Sequence, residues 1–196
     1  MPGTSALATL LAGVLALWGI AHVVAGRAAA SRPRPALARS DNPGARLGAA
    51  AAVGVALYFL APITPLPVYV VAASVAAIST GAAIGLGREI GAVFALPAYA
   101  VPSLRVRPPS TRGCISGEAA VAAAAAAALT AALAFGVRLL GPSDGGPVFL
   151  AAVIGMLFER WLDGAWQPHG AARLAPTVIA GAVGASLAAA GVILLP

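Results

Sequence analysis

Apolar runs about twenty residues long, broken by short polar gaps, set the pattern of this chain. A helix needs about 20 apolar residues to cross the hydrocarbon core of a bilayer. Ser5–Ala25 meets that need, through Leu10, Leu11, Leu17, Trp18 and Val24. Its first four residues carry no basic side chain and the run outlasts a signal-peptide core, so it reads as a retained helix. Further spans are expected at 47–61, 68–86, 119–139, 148–166 and 175–195. Residues 26–46, with Pro33, Pro35 and Pro43, read as a loop because proline lacks the donor a helix needs. Residues 62–67 and 141–147 read as turns. Ile90–Leu104 is apolar but only fifteen residues long and is broken by Pro97 and Pro102, which predicts a re-entrant or interfacial segment. The expected fold is all-α: one membrane domain over 1–196, with about six transmembrane helices plus that short segment.

Composition agrees. Of 196 residues, 60% are hydrophobic and 9% charged, and the mean hydropathy is +0.93. A soluble domain carries about 25% charged residues, so too little polar surface remains to solvate a globule. The basic residues are all arginine and lie in gaps between apolar runs, which argues against nucleic acid as a partner. They also orient the chain. The 26–46 stretch holds five arginines and 87–117 holds four; the turns at 62–67 and 141–147 hold none, and 167–174 holds Arg173. Cytoplasmic loops retain positive charge, so 26–46, 87–117 and 167–174 are expected to be cytoplasmic and both termini not, in a cell inner (plasma) membrane. Arg138, near an outer turn, is the exception and can snorkel. Gly81 with Gly85, Gly181 with Gly184, and the alanines at 119–128 suggest close helix packing.

Only six acidic residues occur. Charged groups at membrane depth are costly and are usually paired or functional. Glu159 and Asp163, four apart, share a helical face. With Arg160 beside them they suit either Mg²⁺ coordination or an interfacial ion pair. Glu89 and Glu118 flank the arginine-rich stretch. Arg88, Arg105, Arg107 and Arg112 are suited to phosphate oxygens, since a guanidinium stays charged and binds bidentately; contact with lipid headgroups is the other reading. Asp41 and Asp144 read as turn residues, and the lone Cys114 precludes an internal disulfide. His22 and His169 lack metal-ligand spacing. No phosphate-binding P-loop, Gly-x-Ser-x-Gly elbow or His-Glu-x-x-His occurs.

Gly87-Arg88-Glu89-Ile90-Gly91, followed by Val106-Arg107-Pro108-Pro109-Ser110-Thr111-Arg112-Gly113-Cys114-Ile115-Ser116-Gly117-Glu118, resembles the membrane family catalogued as domain of unknown function 92, which includes phytyl-phosphate kinases. That family's pattern is Ser-Glu-Ile-Gly, then Pro-x-Gly-Thr-x-Gly-x-x-Ser-x-Glu at a helix entrance. Glu89, Ile90, Gly91, Pro108, Thr111, Gly113, Ser116 and Glu118 match it, and Glu159 and Gln167 fall where the family has a glutamate and a glutamine. The resemblance covers roughly 39–195. The chain departs from the pattern at Ile84 for an aspartate, Arg88 for a serine, Ser110 for a glycine, and Ala175-Pro176-Thr177-Val178 for a polar helix entrance.

The resemblance implies a six-helix fold and nucleotide-dependent phosphorylation of an isoprenyl phosphate. On that reading Glu89, Glu118 and Glu159 are catalytic, and Arg88, Arg105, Arg107, Arg112, Thr111 and Ser116 hold phosphates. Glu118, Glu159 and Asp163 would bind Mg²⁺, with a nucleoside triphosphate as co-substrate and membrane lipid as surroundings. A transporter or non-catalytic membrane subunit is the alternative. A fainter similarity links Ser40-Asp41-Asn42-Pro43-Gly44-Ala45 to a loop of glycerol-3-phosphate acyltransferases, whose lysine-bearing loop is absent here.

Overall fold

The computed structural model describes residues 4–29, 42–94, 96–101, 103–108, 111–166 and 170–194. Six long helices make up most of it: α1 (Thr4–Ala29), α2 (Pro43–Leu60), α3 (Pro67–Phe94), α4 (Gly117–Gly136), α5 (Gly145–Ala165) and α6 (Ala175–Leu194). By length and composition, five of them are apolar enough to cross a membrane: α1, α2 extended through Ile63, α3, α4, and α6 with its lead-in from Ala172. The remaining helix, α5, carries Glu159, Arg160 and Asp163 near its C-terminal end.

Helix α3 is the axis of the bundle. Of its most apolar stretch 89% is buried, against 17% for the peripheral α1. The cause is side-chain size: Ala72, Ala73, Ser74, Ala76, Ala77, Ser79, Thr80, Gly81, Ala82 and Ala83 present almost no bulk, so neighbouring backbones close in. A Cβ on Gly54 of α2 would lie 2.6 Å from the Ser74 carbonyl oxygen, and one on Gly184 of α6 would lie 2.6 Å from Thr80 Oγ1. Gly81 approaches Ala50 and the Leu47 carbonyl, which gives that glycine its packing role. In the alanine-rich start of α4, Ala119, Ala123, Ala126 and Ala127 are buried, and Ala119 meets Gly87 and Gly91 of α3.

Helix boundaries differ from the expected ones where capping chemistry wins over hydropathy. Asn42 caps α2, its side chain accepting from Ala45 N at 3.1 Å, and Pro43 sits at the helix start, where its missing N–H costs nothing. The helix therefore begins at Pro43 and takes in Arg46, which the sequence places in a loop. The same capping gives Asn42 a structural role in the acyltransferase-like stretch; Ser40 and Asp41 lie outside the described residues.

The 90–104 stretch differs more. Ile90–Phe94 completes α3 rather than starting a separate segment. Three short strands follow, β1 (Ala98–Ala100), β2 (Val106–Arg107) and β3 (Cys114–Ile115), in the order β2-β1-β3 and antiparallel throughout. Pro97 lets the helix end there, because the residue before a proline is pushed out of the helical region. The fold is thus a helical bundle with a small sheet between α3 and α4, and is not purely α.

Candidate functional site

All six helices bring chemistry to one end of the bundle. His22 lies toward the C-terminal end of α1, Arg46 at the start of α2, Arg88 and Glu89 near the end of α3, Glu118 at the start of α4, Glu159 and Asp163 near the end of α5, and Thr177 at the start of α6.

The centre of this end is an ion-pair network. Arg46 Nη1 donates to Glu159 Oε1 at 2.6 Å and to Thr177 Oγ1 at 3.2 Å, and its Nη2 donates to Asp163 Oδ1 at 3.3 Å. Arg88 Nη2 donates to Glu159 Oε1 at 2.8 Å and to Asp163 Oδ2 at 3.1 Å. Glu159 has no exposed surface, and Arg46, Arg160 and Asp163 are also buried. Glu159 Oε2 accepts no hydrogen bond among the described residues and lies 3.9 Å from Arg160 Nε. Among the described residues, three guanidinium groups and two carboxylates meet here.

Beside the network, His22 Nδ1 lies 2.8 Å from Glu89 Oε1, with Trp18 stacked on the imidazole. Glu89 is thereby tied to α1 rather than to the arginines. Ser116 caps α4, its Oγ accepting from Ala119 N at 3.3 Å. The acidic Glu118 follows in the first turn, where the helix dipole favours negative charge. Its Oε2 is buried with no hydrogen-bond partner among the described residues. No family model matches the chain, and no curated protein or solved structure matches it.

The loop that carries the Thr111–Glu118 motif docks on the end of α5. Gly113 has φ +72°, and a Cβ on it would lie 2.6 Å from Gly164 Cα, so two glycines meet backbone to backbone. Thr111 donates its hydroxyl to the Pro108 carbonyl at 2.7 Å, which closes the turn. The docking buries Cys114. That burial pushes its thiol pKa up, partly offset by the nearby charges of Arg107 and Arg160.

Among the sequence-selected residues, Arg88, Glu159 and Asp163 come together. Glu89 and Glu118 lie at the same end but in other surroundings, and Ser116 and Thr111 serve the local backbone. Arg105, Arg107 and Arg112 are exposed. Ser110, Gln167 and His169 lie outside the described residues. Glu118, Glu159 and Asp163 do not gather as one trio: among the described residues, no three His, Cys, Asp or Glu side chains form a metal-binding group.

Sequence reasoning missed Arg46, Thr177, His22 and Gly164. The signal for Arg46 was present, because Asn42-Pro43 marks a helix start and puts Arg46 on its first turn. For Gly164 no local signal exists, since its reason is a glycine some fifty positions earlier.

Proposed function

We propose that this chain is an integral membrane enzyme that transfers a phosphoryl group from a nucleoside triphosphate to an isoprenyl phosphate at the arginine-bearing end of the bundle. The observation that carries this reading is the convergence of Arg46, Arg88 and Arg160 with Glu159 and Asp163 near the end of α5, the end on which the motif loop docks through Gly113 and Gly164. Phosphoryl transfer asks a protein mainly for positioning and for positive charge on phosphate oxygens. The guanidinium groups of Arg46, Arg88 and Arg160, gathered at one end of the bundle, are suited to that demand. The apolar tail of the lipid would lie along the bundle while its phosphate meets the arginines.

Magnesium fits as an ion that arrives with the nucleotide, because Mg²⁺ commonly uses only one or two protein carboxylates and takes its other ligands from phosphate and water. Glu118 would hold it, having a carboxylate oxygen that no described residue occupies. When bound, the ion neutralises charge building on the phosphates. Glu159, already fixed by Arg46 and Arg88, orients those arginines. Membership of the domain of unknown function 92 family belongs to this proposal, and so does a cytoplasmic location for the arginine-bearing end.

The test is incubation of purified protein with labelled CTP or ATP and a panel of isoprenyl phosphates. Label should appear in an isoprenyl diphosphate, and Glu118→Gln should lose most turnover, on the order of a hundredfold or more for a lost charge-stabilising group, while melting like the wild type. Wild-type turnover in that variant removes Glu118 from the site, and no transfer with any pair overturns the reading.

One observation favours a carrier instead. Glu159 Oε1 is shared between Arg46 of one helix and Arg88 of another inside the bundle, and such a shared pairing is a contact that alternating-access motion can exchange. Substrate movement across vesicles without nucleotide consumption would establish it.

A further inference from the structure

We infer that the three-stranded sheet between α3 and α4 is a lipid-surface element, which sets Leu104 and Val106 into the interface of a leaflet rich in anionic headgroups and binds those headgroups through Arg105, Arg107 and Arg112. The inference is independent of phosphoryl transfer.

Three features point the same way. The first is charge. Residues 95–115 hold three arginines and no acidic residue, and all three guanidinium-bearing residues are exposed. An exposed basic cluster with no internal counter-charge is complementary to an anionic surface.

The second is exposed apolar area at the same tip. Leu104 is 73% exposed and Val106 63%. In a short, water-facing turn such residues are an unfavourable choice. Leu104 also has φ 53°, a left-handed conformation that asparagine or glycine adopts at much lower cost. The turn is nevertheless well made: Leu104 N donates to Ala100 O at 2.7 Å, and Ala100 N donates to Arg105 O at 2.9 Å. A strained, exposed leucine held by good hydrogen bonds makes sense where its side chain leaves water. Arginine beside it suits an interface, since its stem lies along apolar surface while its head reaches phosphate.

The third is position. The sheet joins α3 to α4, both apolar enough to cross a membrane. With those helices embedded, the three strands lie at the depth of the headgroups.

The experiment places an environment-sensitive fluorophore at the exposed Ser103 (Ser103→Cys in a Cys114→Ala background), with the full chain in nanodiscs. Discs of phosphatidylcholine alone are compared with discs that also contain phosphatidylglycerol. The label should shift to the blue and be quenched by lipid-borne nitroxides, on the order of tenfold more strongly in the anionic discs. Arg105→Gln with Arg107→Gln should abolish that preference, and Leu104→Asn, which keeps the backbone conformation, should make quenching shallower. Melting of each variant in detergent confirms folding; an arginine variant that unfolds is replaced by the uncharged Arg→Ala change, and Leu104→Asn by Leu104→Gly. A label that stays water-exposed in both discs, or is quenched equally with and without anionic lipid, overturns the inference.

Discussion

At one end of the bundle, around 61–64 and 137–144, polar groups are answered by neighbours three residues away; at the other, Arg46 meets a carboxylate 113 positions along the chain. Thr64 Oγ1 donates to the Ala61 carbonyl at 2.9 Å, and Asp144 Oδ2 accepts from Gly141 N at 2.8 Å. Such bonds form as soon as the turn forms and need no other helix. The arginine-bearing end is different in kind. Its pairs join α1 to α3, α2 to α5 and α3 to α5 over 67 to 117 positions, so they exist only in the assembled bundle. Arg46, Arg88, Glu159 and Asp163 are each held by at least two others, and removing one strands a buried charge. Turn ends can be altered one residue at a time, whereas the network responds as a unit.

The sharpest way to break this contrast is Glu159→Ala. It takes from Arg46 and Arg88 the carboxylate they share, and removal of one partner from a buried ion pair costs about 3–5 kcal/mol. Thermal unfolding in detergent should show a large loss, and a cycle with Arg46→Met should show that the two changes together cost less than their sum. A melting point near that of the wild type would mean that the network does not hold this end together.

Gly113→Ala comes next. Alanine at φ +72° is strained, and its Cβ would collide with Gly164; strain and overpacking together suggest about 2–4 kcal/mol. The motif loop should lift from α5, seen as faster tryptic cleavage after Arg112. Gly19→Ala is the control, because a Cβ there meets nothing within 4 Å and helix propensity predicts no loss. Equal cleavage in both variants would remove the docking role of Gly113.

The smallest effect belongs to the turn end. Asp144→Ala should cost about 1 kcal/mol, the ordinary contribution of a hydrogen bond, and should leave the arginine-bearing end untouched. A loss as large as that of Glu159→Ala would erase the distinction between the two ends.

The resemblance in residues 87–118 drew attention to the end of the bundle that holds the ion-pair network but not to its contacts. Glu159 and Asp163 were legible because two acidic residues in an apolar helix stand out. Their partner Arg46 was hidden among topology-setting arginines, since charge counting treats every arginine in a gap alike. The sheet of β1, β2 and β3 was illegible for another reason: its strands are two or three residues long, too short for alternation to show, and their pairing depends on how α3 and α4 bring them together.

By itself the sequence determined six helices and the end at which arginine collects, because apolar length and the placement of charge are properties of segments that need no partner. Only the tertiary structure decided that α3 is the axis, that Arg46 and Arg88 share Glu159, and that Gly113 rests on Gly164. Those contacts arise from side-chain size and direction on helices far apart in the chain, and such quantities take meaning only once the helices have packed.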